Sequence, residues 1–171
     1  KDMAAIAEQK KASISAVERG QEVVVTRKND VGILFQISTL LSNNGVNILG
    51  VSAGVCGEDC RIRLITDGNR IAKDVLAANS LPSEEESVVL VDLRNRPGTL
   101  KQVTKALAQE GIDIRHIYAA TDKEQDKCLL VFHSSNDDVA LAKLNELQAV
   151  EERPTDQERN ANMVSEGGPT Y

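Results

Sequence analysis

The spacing of apolar residues changes rhythm along the chain, and each change marks the edge of an element. Glu22-Val23-Val24-Val25-Thr26 is a short β-branched run and predicts a first strand. After a turn containing glycine, Leu34, Ile37, Leu40 and Leu41 recur at spacings of three and four, the period of a helix face. Gly45 stands where a left-handed cap ends such a helix. In the next stretch Leu49, Val51, Ala53 and Val55 alternate with smaller or polar residues, as in a strand. Gly57-Glu58-Asp59 turns it into a second strand, with Ile62 and Leu64 inward and Arg61 and Arg63 outward. This predicts a hairpin with one wet face. A second helix over 69–78 and a weak polar edge strand complete the unit.

The series then begins again. Asn29-Asp30-Val31-Gly32-Ile33-Leu34 is answered by Asn95-Arg96-Pro97-Gly98-Thr99-Leu100, 66 positions later. At that spacing Val23 meets Val89, Leu41 meets Leu107, Gly45 meets Gly111, Ile48 meets Ile114 and Leu64 meets Leu130. The copies span 21–86 and 87–152, with a helix over 137–147 in the second. Each reads β, α, β, β, α, β, the split order of a ferredoxin-like unit. The fold class is therefore α+β, two tandem units with antiparallel sheets and helices on one face. In the second copy Leu129 and Val131 interleave with Cys128, Leu130 and Phe132, so that strand is apolar on both faces. Its outer face is expected to meet another surface, which predicts a homodimer. Residues 1–20 are read as a helical or flexible extension: Met3, Ile6, Ile14 and Val17 lie near heptad positions, Asp2 is a candidate cap and Gly20 a stop. Residues 153–171 are a polar tail without apolar period, expected to be disordered or to hug the surface.

Composition narrows the function. Of 171 residues, 41% are apolar and 27% charged, as in an ordinary globular protein, and no apolar run reaches membrane-spanning length. A net charge of -6 with dispersed acidic residues argues against nucleic acid as a partner. Three cysteines are too few for a disulfide framework, so a reducing compartment is expected: the cytoplasm, or an organelle interior if a targeting segment has been removed.

The most informative chemistry lies where each first strand meets its helix. A helix N-terminus offers unpaired N–H groups and partial positive charge to an anion. Gly32 and Gly98 place no Cβ against a ligand, and Asn29, Asn95 and Thr99 add side-chain donors or acceptors. Asn47 and Asp113 stand at equivalent places beyond the first helix of each copy. Spacing alone favours an ordinary turn and cap. The recurrence of the loop in both copies, with Gly45-Val46-Asn47-Ile48 and Gly111-Ile112-Asp113-Ile114, favours a site.

With these residues in view, the chain resembles the ACT domain family, whose members place an Asp/Asn-x-Pro-Gly-x-Leu loop before the first helix and a Gly-Ile-Asn-Ile-like second strand. The resemblance covers residues 22–147 and is closer in the second copy. It implies a stand-alone tandem regulatory protein that binds a small effector, an amino acid by analogy, and acts allosterically on a metabolic enzyme or other partner. The implied ligand-binding residues are Asn29, Asp30, Val31, Gly32, Ile33 and Asn47, with Asn95, Arg96, Pro97, Gly98, Thr99 and Asp113. Val31 replaces the usual proline and Asp113 the usual asparagine, which leaves open a protein-interaction module that no longer binds an effector.

Other candidates are weaker. Cys56 and Cys60 flank the hairpin tip, but two thiols and a carboxylate fall short of the four ligands a metal needs, and no cofactor is implied. His116 and His133 have no nucleophile at a catalytic spacing, and Tyr118 is a candidate stacking surface. An RNA-recognition module would need aromatic central strands, whereas aromatic residues are 2% of the chain. Arg94 and Arg96 beside Gly98 are the sole hint of an acylphosphatase-like enzyme. No enzyme is predicted.

Overall fold

The computed structural model describes residues 13–122 and 126–151. Ten elements follow in order: β1 (Ile14–Lys28), α1 (Ile33–Asn43), β2 (Ile48–Cys56), β3 (Asp59–Thr66), α2 (Asn69–Ala78), β4 (Glu84–Arg94), α3 (Thr99–Gln109), β5 (Ile114–Asp122), β6 (Lys127–Ser134) and α4 (Asp137–Glu151). The strands form one six-stranded antiparallel sheet in the order β2-β3-β1-β4-β6-β5. These are two tandem ferredoxin-like units. Each contributes two helices to one face of the shared sheet.

The units complete each other. The second half of β1 pairs with β3 from Val23 to Lys28, as the first strand of unit one. Its first half runs along β4, from Ile14 opposite Leu93 to Gln21 opposite Ser87, and supplies the closing strand of unit two. Reciprocally, Glu84, Glu85 and Glu86 at the start of β4 pair with Val24, Val23 and Glu22 and close unit one. The centre of this exchange is Gln21 facing Ser87, a residue facing its own counterpart in the next copy. Each exchanged strand is fastened to a helix by an ion pair of opposite polarity. Arg19 of β1 meets Asp138 of α4, whereas Glu85 of β4 meets Lys73 of α2 at 3.1 Å.

Two sequence expectations are corrected here. Residues 14–20 are strand rather than the end of a helix, and residues 1–12 lie outside the described part. Ile14 and Val17 mimic a helical spacing, but Ile14 is fully buried in the core of unit two with Val89, Val91, Leu93 and Phe132. Long-range pairing with β4 overrides the local pattern. Gly20 is therefore no helix stop. A methyl group built on it would overlap Leu90 of the neighbouring strand, so the glycine lets that side chain cross the sheet. Gly20→Ala is expected to lose about 1–3 kcal/mol of stability by overpacking, read by urea denaturation. Adding Leu90→Ala to it should recover part of that loss.

Beneath the helices lie two matched cores. In unit one Ile33, Ile37 and Leu41 of α1 pack on Val23, Val25, Ile62 and Leu64. In unit two Thr99, Val103 and Leu107 are the equivalent buried stripe of α3. Burial thus follows positions one residue before Leu34 and Leu100, both of which face solvent.

The opposite face of the sheet is the second correction. It is wet only in part, because the sheet curls until its end strands β2 and β5 meet through side chains, which leaves Arg61 exposed and covers most of Arg63. His116 Nε2 lies 3.1 Å from Ser52 Oγ, and the Tyr118 ring lies against Gly50. Ile65, Val88 and Val131 are buried on this concave face, with Leu90, Tyr118 and Leu129 packed around them. Within the chain Val131 is buried in a cluster that includes Ile65 of the other unit, while Leu129 stays partly exposed.

Candidate functional site

Two polar concavities distinguish the molecule. The first is the seam between the units on the concave face, a groove of about 430 Å³ lined by Arg61, Arg63, Glu86, Arg115, His116 and His133, with Ser87. Its centre is already neutralised. Arg63, with a side chain 12% exposed, pairs with buried Glu22 and, at 2.8 Å, with Glu86 Oε2, while Arg61 pairs with Glu86 Oε1. The Tyr118 hydroxyl donates to Glu22 Oε2 at 3.0 Å. Burial and the Glu22 carboxylate push the Tyr118 phenol far above its ordinary pKa. Burial would raise Glu86, but its hydrogen bond and charge contact with Arg63 hold it below the usual carboxylate value. Burial would likewise lower Arg63, and the two carboxylates raise it instead. This is a closed structural network.

His116 sits on the rim of that network. Burial, then the guanidinium of Arg63 and that of Arg61, hold its pKa below the ordinary imidazole value, against the pull of Glu22 and Glu86. Arg115 and Tyr118 on its own strand and His133 on β6 are the remaining titratable groups nearby. The unfolded chain therefore takes up the imidazole proton before the folded one does. Stability due to neutral His116 is complete above about pH 6.5 and is lost as pH falls below it. Urea midpoints compared at pH 7 and pH 5.5 should show this loss, and His116→Gln should flatten it. NMR titration placing His116 at or above the free imidazole value would exclude this cause.

The second concavity is the loop between β4 and α3. Asn95 donates its N–H to the Asp126 carbonyl at 3.0 Å, which ties the loop to the hairpin tip of its own unit. Asn29 does the same with the Glu58 carbonyl at 2.8 Å. Gly98 has φ 95° and Gly32 φ 91°, left-handed values that favour glycine, with open space where a Cβ would stand. Neither α1 nor α3 has a side-chain cap, and of the first-turn amides only the first of each, Ile33 and Thr99, is engaged, by the carbonyls of Asp30 and Arg96 at 3.3 Å. In unit two this arrangement borders a cavity of about 440 Å³ lined by Arg94, Arg96, Pro97, Gly98, Thr99, Lys101 and Lys105, together with Ser13 and Gln102. Among the described residues no carboxylate lines it. A smaller hollow of about 220 Å³ lies on the other side of the same loop, bounded by Asn95, Arg96, Thr99, Leu100 and Cys128. Burial, then the charge of Asp92, push the Cys128 thiol pKa up.

The expected site residues are thus divided. Asn95, Arg96, Pro97, Gly98 and Thr99 border the two hollows of unit two. Asn29, Asp30, Val31, Gly32 and Ile33 form the matching loop of unit one, where Val31 is fully exposed and Ile33 is core. Asn47 and Asp113 lie at the far ends of their own units. Asn47 donates its N–H to Asp67 Oδ1, and Asp113 donates its N–H to Ser135 Oγ. Lys101 and Lys105 were not among the expected residues, and Arg94 entered only as a hint of an enzyme. Their signal was legible as four cations and no acid between positions 94 and 105 of a chain with net charge -6. Cys56 and Cys60 take adjacent cross-strand pairs, Cys56 with Asp59 and Val55 with Cys60, so their side chains point to opposite faces and cannot bridge each other. Among the described residues, no group of three or more His, Cys, Asp or Glu is placed to hold a metal.

The ACT domain family model matches residues 87–152, the whole of the second unit. Residues 87–152 are an ACT domain. The first unit repeats the same βαββαβ fold, so the chain carries an ACT-like fold twice. A solved protein from Bacteroides thetaiotaomicron shares this tandem architecture with a TM-score of 0.69 at 22% identity, covering 77% of this chain and 90% of that one. The ligand-free regulatory subunit of aspartate kinase from Thermus thermophilus is similar with a TM-score of 0.56 at 14% identity, covering 79% of this chain and 99% of that one. At these identities the likeness is one of fold. A search of the curated proteins found no match to the chain.

Proposed function

We propose that this protein is a ligand-binding regulatory protein whose ACT domain holds a small effector at the loop between β4 and α3, and that binding alters what a partner protein meets. The observation that carries this reading is the cavity beside Gly98, where a helix start without a side-chain cap and four cationic side chains meet, of which Arg96 is paired with Asp126 at the rim. Such a place receives the carboxylate of an amino acid or another small anion. Similarity of fold to an aspartate kinase regulatory subunit supports a sensing role over a catalytic one. Calorimetric titration of the full chain should give saturable binding of a small carboxylate, and Gly98→Val, which strains the left-handed turn, should abolish it. If no compound in a panel of amino acids and metabolite anions binds or raises the melting temperature, the sensing role is wrong.

A second reading applies to unit one. Where the ACT domain has Pro97, Lys101, Arg115, Ile117 and Thr121, unit one has Val31, Phe35, Leu49, Val51 and Val55, all exposed, with Phe35 at 75%. Two of these changes, at Lys101 and Arg115, exchange a charge for an apolar side chain, and the exposed apolar set suits protein contact, either with a second copy or with the regulated enzyme. Light scattering of the wild type and Phe35→Glu tests it: an assembly that the charge dissolves supports a contact face, and a monomer in both cases excludes the homodimer.

A further inference from the structure

We infer that the effector of the second unit is a dianion, a dicarboxylate or a phosphate ester, rather than a neutral zwitterionic amino acid. This rests on the placement of the site proposed above and concerns which chemical class that site selects. The two units present the same loop backbone, with Gly32 and Gly98 at nearly equal φ and neither helix capped by a side chain. Main-chain donors are therefore common to both, and any difference in selectivity comes from side chains. At the four places where unit two carries Arg94, Arg96, Lys101 and Lys105, unit one carries Lys28, Asp30, Phe35 and Thr39. One site gathers four cations around a cavity of about 440 Å³. The other holds one cation and one acid.

Arg96 donates from Nε to Asp126 Oδ2 at 3.2 Å, which fixes the guanidinium at the rim and offsets one charge of the four. Arg94, Lys101 and Lys105 have no ion-pair partner among the described residues. Lys101 and Lys105 stand four residues apart on one helix face, an arrangement that like charges disfavour. An anion between them relieves that repulsion, and a second negative group on the same ligand doubles the gain. An ammonium group brought into the same field cancels it. The groove at the seam offers the internal comparison: Arg61 and Arg63 are matched there by Glu22 and Glu86, so it holds no comparable excess of charge.

The test is calorimetry on the full chain at low and moderate salt, with succinate, glycerol phosphate, inorganic phosphate, glutamate and glycine as probes. Dianions should bind at least about tenfold more tightly than glycine, the worth of one charge-assisted hydrogen bond, and should weaken as salt rises. Lys101→Gln with Lys105→Gln should lose roughly tenfold or more for dianions without lowering the melting temperature. Arg94→Gln should act in the same direction, and Lys28→Gln in unit one should change nothing. The ratio of succinate to glycerol phosphate affinity separates the two sources of charge. If glycine binds as tightly as the dianions and is indifferent to the lysine changes, the ligand class is wrong while the sensing role stands. If no probe of either kind binds, both fall.

Discussion

Replacing Arg63 with alanine is expected to cost about 3–5 kcal/mol of folding stability, among the largest effects of any single side chain outside the apolar cores. The reason is Glu22. Its carboxylate is buried at the seam, and its partners are Arg63 and the Tyr118 hydroxyl. Without the guanidinium the fold must keep an uncompensated charge in a dry place or take up a proton to remove it. Either way the unfolded state gains. A double change, Arg63→Met with Glu22→Gln, should recover much of the loss, because replacing both partners spares the penalty of a lone buried charge. Urea denaturation of the two variants decides the matter, and a loss below about 1 kcal/mol for Arg63→Ala would mean that the seam behaves like a hydrated surface pair.

Ile14→Ala should lose about 2–5 kcal/mol, the cost of deleting a buried branched side chain that cannot be refilled. The size of the effect is informative because Ile14 lies in a stretch that local pattern reads as a helical extension. The structure places it with Val89, Val91, Phe132 and Leu144 in the core of unit two. Ser15, the next residue, is exposed, so Ser15→Ala should be nearly silent. Equal and small effects at both positions would show that residues 14–20 are not part of the sheet in solution.

Most of the architecture was legible because the repeat carries it. Glycines at 32, 45, 98 and 111 mark left-handed backbone in both copies, and all four have positive φ. What escaped the sequence was non-local. Ile14 and Val17 sit three apart, as on a helix, and their pairing partners lie more than seventy residues away on β4. Arg63 alternates with core residues as a solvent-facing side chain does, yet the carboxylates that let it be covered, Glu22 and Glu86, belong to other strands. The candidate site was legible at its backbone and at Asn95 to Thr99. Its electrostatics were missed because Lys101 and Lys105 look like the ordinary polar side of an amphipathic helix until the fold turns them toward the loop.

The reciprocal exchange of β1 and β4 makes the molecule thermodynamically indivisible. Cutting the chain at the repeat boundary would strip each half of the strand that seals its sheet and leave a raw edge on both pieces. Melting should accordingly be one event for the whole tandem. An effector held by residues of one half then firms the other half to the same degree. The apolar face of unit one can in this way register an occupant that it never touches.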